Sequence, residues 1–285
     1  MKIVYATDLH GDKAKYRRLL ELARATGATA VVNGGDMLTM EDDLHRTQRD
    51  FIEDFLDPLF AEYEKAGIYH IGYLGNDDLR IHDPCFEKAC SKYPHAINLA
   101  QRKYDLGPFE FIGMNWVADY PFQLKDRCRK DREDYVFQKQ LGLGVLSTEK
   151  GFEELADWPA YAAKLPTIEQ ELAALPKPKD ASKAIYVIHM PPARIDLDIC
   201  QSGDEVGSVA IYKFIEQTQP LLTLHGHIHE SPKRGGHWKA QMGRTVCVQP
   251  GQPRSGALSY ALIDLAAMEI DRFEVSTLSP MSTER

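Results

Sequence analysis

The chain has 285 residues, of which 44% are hydrophobic and 27% charged, ordinary globular usage that excludes a fibrous, low-complexity or intrinsically disordered protein. No apolar run approaches the roughly 18 to 20 residues that span a bilayer, so no membrane partner is expected. The formal net charge of -8, with Lys and Arg interleaved among acids, disfavours nucleic acid as a partner, because a polyphosphate backbone needs a basic face.

Five scattered cysteines, Cys85, Cys90, Cys128, Cys200 and Cys247, form no C-x-x-C pair, which argues against a disulfide framework or structural zinc and points to the cytoplasm. Residues 2–7 read as a strand ending at Asp8, and 13–24 has the apolar spacing of a helix stopped by Gly27. The unit repeats. A strand at 30–33 ends at Gly34-Gly35-Asp36, a helical stretch follows over about 43–65, and a strand at 68–74 ends at Gly75-Asn76-Asp77.

A further strand is expected at 110–116. Residues 119–180 are charged, helix-prone and closed by Pro176-Lys177-Pro178-Lys179, which predicts a helical insertion or cap within a single domain of residues 1–275. The basic stretch 125–132 is broken by Asp126 and Asp131 and reads as a solvated helix face. Strands at 184–188 and 221–224 run into His189 and into His225-Gly226-His227-Ile228-His229, and 245–248, 259–264 and 272–275 predict an antiparallel continuation. Residues 276–285 are expected as a frayed polar tail.

Several of these strands end in residues that can bind cations. Strands alternating with helices imply a parallel sheet, whose ligands gather at the strands' carboxyl ends. Asp8 and His10 lie two residues apart after the first strand, Asp36 follows two glycines that permit close backbone approach, and Asn76 offers an amide oxygen. His189 ends a buried-type strand, and His227 and His229 flank Ile228 after Gly226. Singly, each pattern is compatible with a turn or a satisfied core residue. Together, seven metal-binding side chains at strand ends read as one metal site on one sheet edge.

The blocks Asp8/His10, Gly35-Asp36, Gly75-Asn76, His189 and Gly226-His227/His229 resemble, in order, the D-x-H, G-D, G-N, H and G-H-x-H blocks of the calcineurin-like metallophosphoesterases. The resemblance implies an α/β fold of four αββα layers, two mixed β-sheets flanked by helices as in metallo-dependent phosphatases. It further implies two divalent metal ions, one held by Asp8, His10, Asp36 and His229, the other by Asp36, Asn76, His189 and His227, with Asp36 as the bridge. Such donors suit Mn, Fe, Zn or Ni. The activity implied is hydrolysis of phosphate mono- or diesters of a small phosphorylated substrate by a hydroxide shared between the metals.

Asn76 and Asp77 are the candidate catalytic side chains. Many family members carry a histidine acid after the G-N asparagine, where this chain has Asp77. An ordinary Asp is ionised near neutral pH, so it protonates a leaving group only if its pKa is strongly raised, and a preference for esters with good leaving groups follows. Met37-Leu38 after Asp36 departs from the Asp-Arg-Gly of the protein phosphatases. Ser208 fits two readings equally, a cap on a helix over 209–215 whose amide end faces a phosphate, and a plain loop and cap. Two other functions stay open: a non-catalytic metal-bound scaffold for protein contacts, and a nucleotide phosphodiesterase.

Overall fold

Short β-branched runs alternate with amphipathic stretches through the first hundred residues, and the chain folds accordingly. In the computed structural model, which describes residues 1–277, β1 (Lys2–Ala6), α1 (Lys13–Thr26) and β2 (Ala30–Asn33) come first. Asp12 caps α1 by accepting from the amides of Ala14 and Lys15, and Gly27 ends it in the left-handed conformation. Helix α2 (Leu44–Phe51) runs through a π-helical turn (Ile52–Leu56) into α3 (Asp57–Ala66), followed by β3 (Tyr69–Gly72), α4 (Asp83–Cys90) and β4 (Ala96–Asn98).

The chain continues through β5 (Lys103–Leu106), β6 (Phe109–Met114), β7 (Val117–Ala118), β8 (Cys128–Arg129), β9 (Gly144–Thr148), β10 (Gly151–Leu155), α5 (Trp158–Ala162) and α6 (Ile168–Ala174). It ends with β11 (Ala184–Ile188), α7 (Val209–Thr218), β12 (Leu222–Leu224), α8 (Ser231–Gly235), β13 (Lys239–Met242), β14 (Thr245–Val248), β15 (Ala257–Asp264) and β16 (Glu269–Ser276).

Two six-stranded mixed sheets result, ordered β16-β15-β1-β2-β3-β4 and β13-β14-β12-β11-β6-β5. The inner strands are parallel, whereas β15 and β16 on one sheet, and β13 and β5 on the other, join antiparallel.

Alternation along the strands builds the layers, since successive side chains point to opposite faces. Val4, Ala6 and Val31 face a core shared with α1, α3 and α4. Ile3, Tyr5, Ala30 and Val32 face Ile185, Val187, Leu222 and Leu224 of the second sheet. Ala184, Tyr186 and Ile188 face outward against Trp158, Leu172 and Ile211 of the second helical layer. The architecture is the four-layer αββα sandwich, and it brings the carboxyl ends of parallel strands from both sheets to one edge.

Three expectations change. Residues 119–180 are helical only in α5 and α6, while β9 and β10 form a hairpin. The stretch 125–132 is not solvated: Lys125, Asp126, Arg127, Arg129 and Asp131 are all buried, because each charge has a partner inside the protein. After residue 229, β14 joins the second sheet parallel to β12, so the continuation there is only partly antiparallel. Of the expected tail, Ser276 closes β16, and residues 278–285 lie outside the described residues.

Candidate metal centre

Strand ends supply the site, from both sheets rather than from one. Asp8, Asp36 and Asn76 follow β1, β2 and β3 of the first sheet, and His189, His227 and His229 follow β11 and β12 of the second. The loops are laced backbone to backbone: the amides of Asp8 and His10 donate to the carbonyls of Gly35 and Asp36, both at 3.0 Å, and that of Gly226 donates to the His189 carbonyl at 2.8 Å. The His227 amide crosses between the sheets to the Asp8 carboxylate at 3.0 Å.

All seven candidate ligands converge. Asp8, His10, Asp36 and His229 bring ligand atoms within 4.8 Å of one another, as do Asp36, His189 and His227, so Asp36 belongs to both groups. Asn76 joins the second, its Oδ1 lying 2.8 Å from His189 Nε2 and 2.6 Å from His227 Nδ1. His189 Nδ1 donates to the Gly34 carbonyl at 2.7 Å, which turns Nε2 toward the cluster, the usual way a second ring nitrogen fixes a ligating histidine.

The backbone is strained where the ligands attach. Asp8, His10, Asp36 and His227 all have positive φ, between 43° and 69°, a region non-glycine residues seldom adopt and that tends to occur at functional sites. Gly75 is required by proximity: a Cβ there would strike the Asp36 backbone nitrogen and carboxylate.

Charge balance shows what the cluster lacks. Burial pushes the Asp36 and Asp8 carboxyls up, yet His189 and His229 override it and hold both below their usual range. Burial likewise pulls the two imidazoles down, but Asp36 beside His189 and Asp8 beside His229 lift each to about 9. Burial, with His189 adding to it, takes His227 down to about 3. Asp8 Oδ2 and His10 Nδ1 are buried without partners, and His10 Nε2 lies 3.0 Å from His229 Nε2. Converging carboxylates, imidazoles and orphaned lone pairs are a donor set suited to divalent cations.

Asp77 lies beside Asn76. Its Oδ1 accepts from Asn76 Nδ2 at 2.9 Å, and its own amide donates to Asp36 Oδ1 at 2.9 Å. Burial first, then the neighbouring Asp36, raise its carboxyl to about 8. Asp78, which no motif marks, accepts from the amides of Gly75, Met37 and Leu38 at 2.7 to 2.9 Å and pins the second strand-end loop to the third. Arg127 Nε donates to the Gly75 carbonyl at 2.8 Å. An acidic residue directly after Gly-Asn-Asp was the one signal for Asp78; Arg127 had none, because it reaches the loop from a distant segment.

Ser208 caps α7, its hydroxyl accepting from the Ile211 amide at 3.0 Å. The first amides of the helix are taken up within the chain: Val209 and Ala210 donate to the Asp131 carboxylate at 3.0 and 3.1 Å. His225 Nδ1 bonds the carbonyls of Ile188 and Met190, on either side of His189, both at 3.0 Å.

The family model of the calcineurin-like phosphoesterases matches residues 1–231. No curated protein matches the chain. Among solved structures, TT1561 of Thermus thermophilus superposes with a TM-score of 0.59 at 18% identity, covering 97% of this chain and 98% of its own. A dimetal phosphatase from Danio rerio superposes with a TM-score of 0.50 at 11% identity, covering 97% and 99%. These likenesses show the fold. No helix among the described residues is long and apolar enough to cross a membrane.

Proposed function

The chain belongs to the calcineurin-like phosphoesterase family, and from that premise we propose that it is a dinuclear-metal hydrolase of small phosphate mono- or diesters, working in the cytoplasm. The observation that carries the proposal is the pair of ligand groups sharing Asp36. Asp8, His10, Asp36 and His229 would hold one divalent ion, and Asp36, Asn76, His189 and His227 the other, with Mn, Fe, Zn and Ni all suited to the donors. Two such cations supply a water of lowered pKa as nucleophile and positive charge for the phosphoryl oxygens.

The protein's part is positioning. Gly34 sets the His189 tautomer through its carbonyl, and Asp78 keeps the Asp36 and Gly75 loops in register. Asp77 holds the Asn76 amide so that its oxygen faces His189 and His227. Cations in the cluster would draw the Asp77 carboxyl back toward ionisation. We therefore assign Asp77 to orienting Asn76, and leave protonation of the leaving oxygen to solvent. The preferred substrates are then esters with good leaving groups.

The test is turnover of p-nitrophenyl phosphate and its bis ester after chelation and after return of each metal. Restored hydrolysis of at least one ester is expected. No restored turnover with any of the four metals would favour the non-catalytic scaffold. The five cysteines, all free, fit a reducing compartment.

A further inference from the structure

Four of the eight large hydrophobic side chains exposed among the described residues fall between 122 and 143: Phe122, Val136, Leu141 and Leu143. Concentration of apolar surface in one short window marks a contact site rather than the scattered exposure that any protein shows. Three of them sit together. The Leu141 amide donates to the Pro121 carbonyl at 2.9 Å, and the Val145 amide to the Gln123 carbonyl at 2.8 Å, so 121–125 and 141–145 run side by side. Phe122, Leu141 and Leu143 are 62%, 69% and 49% exposed on that ribbon.

The ribbon adjoins the metal centre. Tyr120 stands between the two, its ring centroid 5.8 Å from that of His227 and 5.9 Å from that of Phe122. The arrangement is built rather than loose. Buried Asp119 accepts from Lys125 Nζ, Trp158 Nε1 and Gln140 Nε2 at 2.7 to 2.9 Å. Lys125 also donates to the Tyr120 carbonyl and lies 4.8 Å from the centre of its ring. This buried hub anchors both ends of the exposed strip.

Charge identifies the occupant. Over a quarter of the chain is charged, yet Tyr120-Pro121-Phe122-Gln123-Leu124 and Gln140-Leu141-Gly142-Leu143-Gly144 contain no Lys, Arg, Asp or Glu. A nucleotide or sugar-phosphate arm would need cationic or densely hydrogen-bonding partners there, whereas an alkyl or aryl arm needs only apolar surface. We propose that Phe122, Leu141 and Leu143 form the subsite for an apolar arm of the substrate, so that the ester this enzyme takes carries an alkyl or aryl group beside its phosphoryl group. The proposal rests on the phosphoesterase function, since the metal centre receives the phosphoryl end.

The test is calorimetric binding of ethylphosphonate and hexylphosphonate to the metal-loaded full chain and to a Phe122→Ser/Leu143→Ser double variant. Four added methylenes partly buried on the strip should favour the hexyl compound by about tenfold or more. The double variant should bring the two affinities to within about twofold, with the loss falling mainly on the hexyl compound. Equal affinities in the unmodified protein, or equal loss of both ligands in the variant, would overturn the subsite. Sedimentation with neutral phosphatidylcholine vesicles, without a chain-length preference for the free phosphonates, would assign the strip to a lipid surface and overturn it too. Turnover of p-nitrophenyl phosphate separates the two ideas: a preserved hexyl preference without metal-restored turnover removes the hydrolytic function and keeps the subsite, and the converse result does the reverse.

Discussion

The metal edge and the 119–180 wall beside it are both crowded with buried charge, but they are organised in opposite ways. At the metal edge, carboxylates and imidazoles converge with orphaned lone pairs, leaving a donor set suited to cations. In the wall, charges are closed on one another: Asp119 with Lys125, Arg127 with Asp83, Arg129 with Glu171, and Asp131 with the start of α7. Buried polar groups that satisfy each other specify a structure, while a convergent set of donor atoms left unsatisfied is poised for a ligand. Substitutions on the metal edge should therefore remove metal and leave the fold, and substitutions in the wall should do the opposite.

The largest effect is expected at Asp36, which both ligand groups share. Asp36→Ala should lower turnover by about a thousandfold or more, beyond the roughly 10- to 100-fold typical of losing an outer partner, with the circular dichroism spectrum retained. If activity survives, Asp36 is not the bridge. In the wall, Lys125→Ala strands the Asp119 carboxylate, and a stability loss of about 3 kcal/mol is expected in denaturant melts, with metal still bound at saturation. Loss of metal without loss of stability would erase the contrast between the two regions.

Asp77 sharpens the comparison from within the metal edge. Its carboxylate acts on Asn76 through one hydrogen bond, so Asp77→Ala should weaken metal retention and turnover by roughly 10- to 100-fold, equally on alkyl and aryl esters. Asp77→Asn keeps an acceptor and should recover most of that loss. A selective loss on alkyl esters would instead make Asp77 the proton donor.

The last effect is confined to acid pH. His70, on β3, is buried with both ring nitrogens unpartnered, and burial lowers it to about 4. The unfolded chain takes up a proton on this residue below about 6.5, the folded protein only near 4. Its contribution to stability is therefore complete above about 6.5 and lost as pH falls toward 4, a change of about 3 kcal/mol. His70→Phe should flatten the acid limb of the stability curve, and an unchanged limb would exclude this residue as its cause.

The same contrast explains what the sequence made legible. Asp8, Asp36, Asn76, His189, His227 and His229 could be placed because each ends or closely follows a short strand whose alternation and flanking glycines are local signals. Helix and strand periods made the alternation of elements legible, while the four layers came from the family resemblance of the ligand blocks. The second sheet's share of the site was not separable from the first, because strand order is set by long-range pairing between segments such as β1 and β15. The wall was misread for a related reason: Arg127 and Arg129 look like a solvated face until Asp83 and Glu171, each more than 40 residues away, are brought to them. Tyr120 gave no signal at all, for its contact with His227 exists only once the wall has folded over the edge.

The account rests on two cation sites joined at one carboxylate, and metal stoichiometry tests that most directly. Elemental analysis of the metal-loaded protein should give close to two ions per chain, about one in His10→Ala and in His189→Ala, and almost none in Asp36→Ala. A value well below two in the unmodified protein, or the same value in all four, would contradict it.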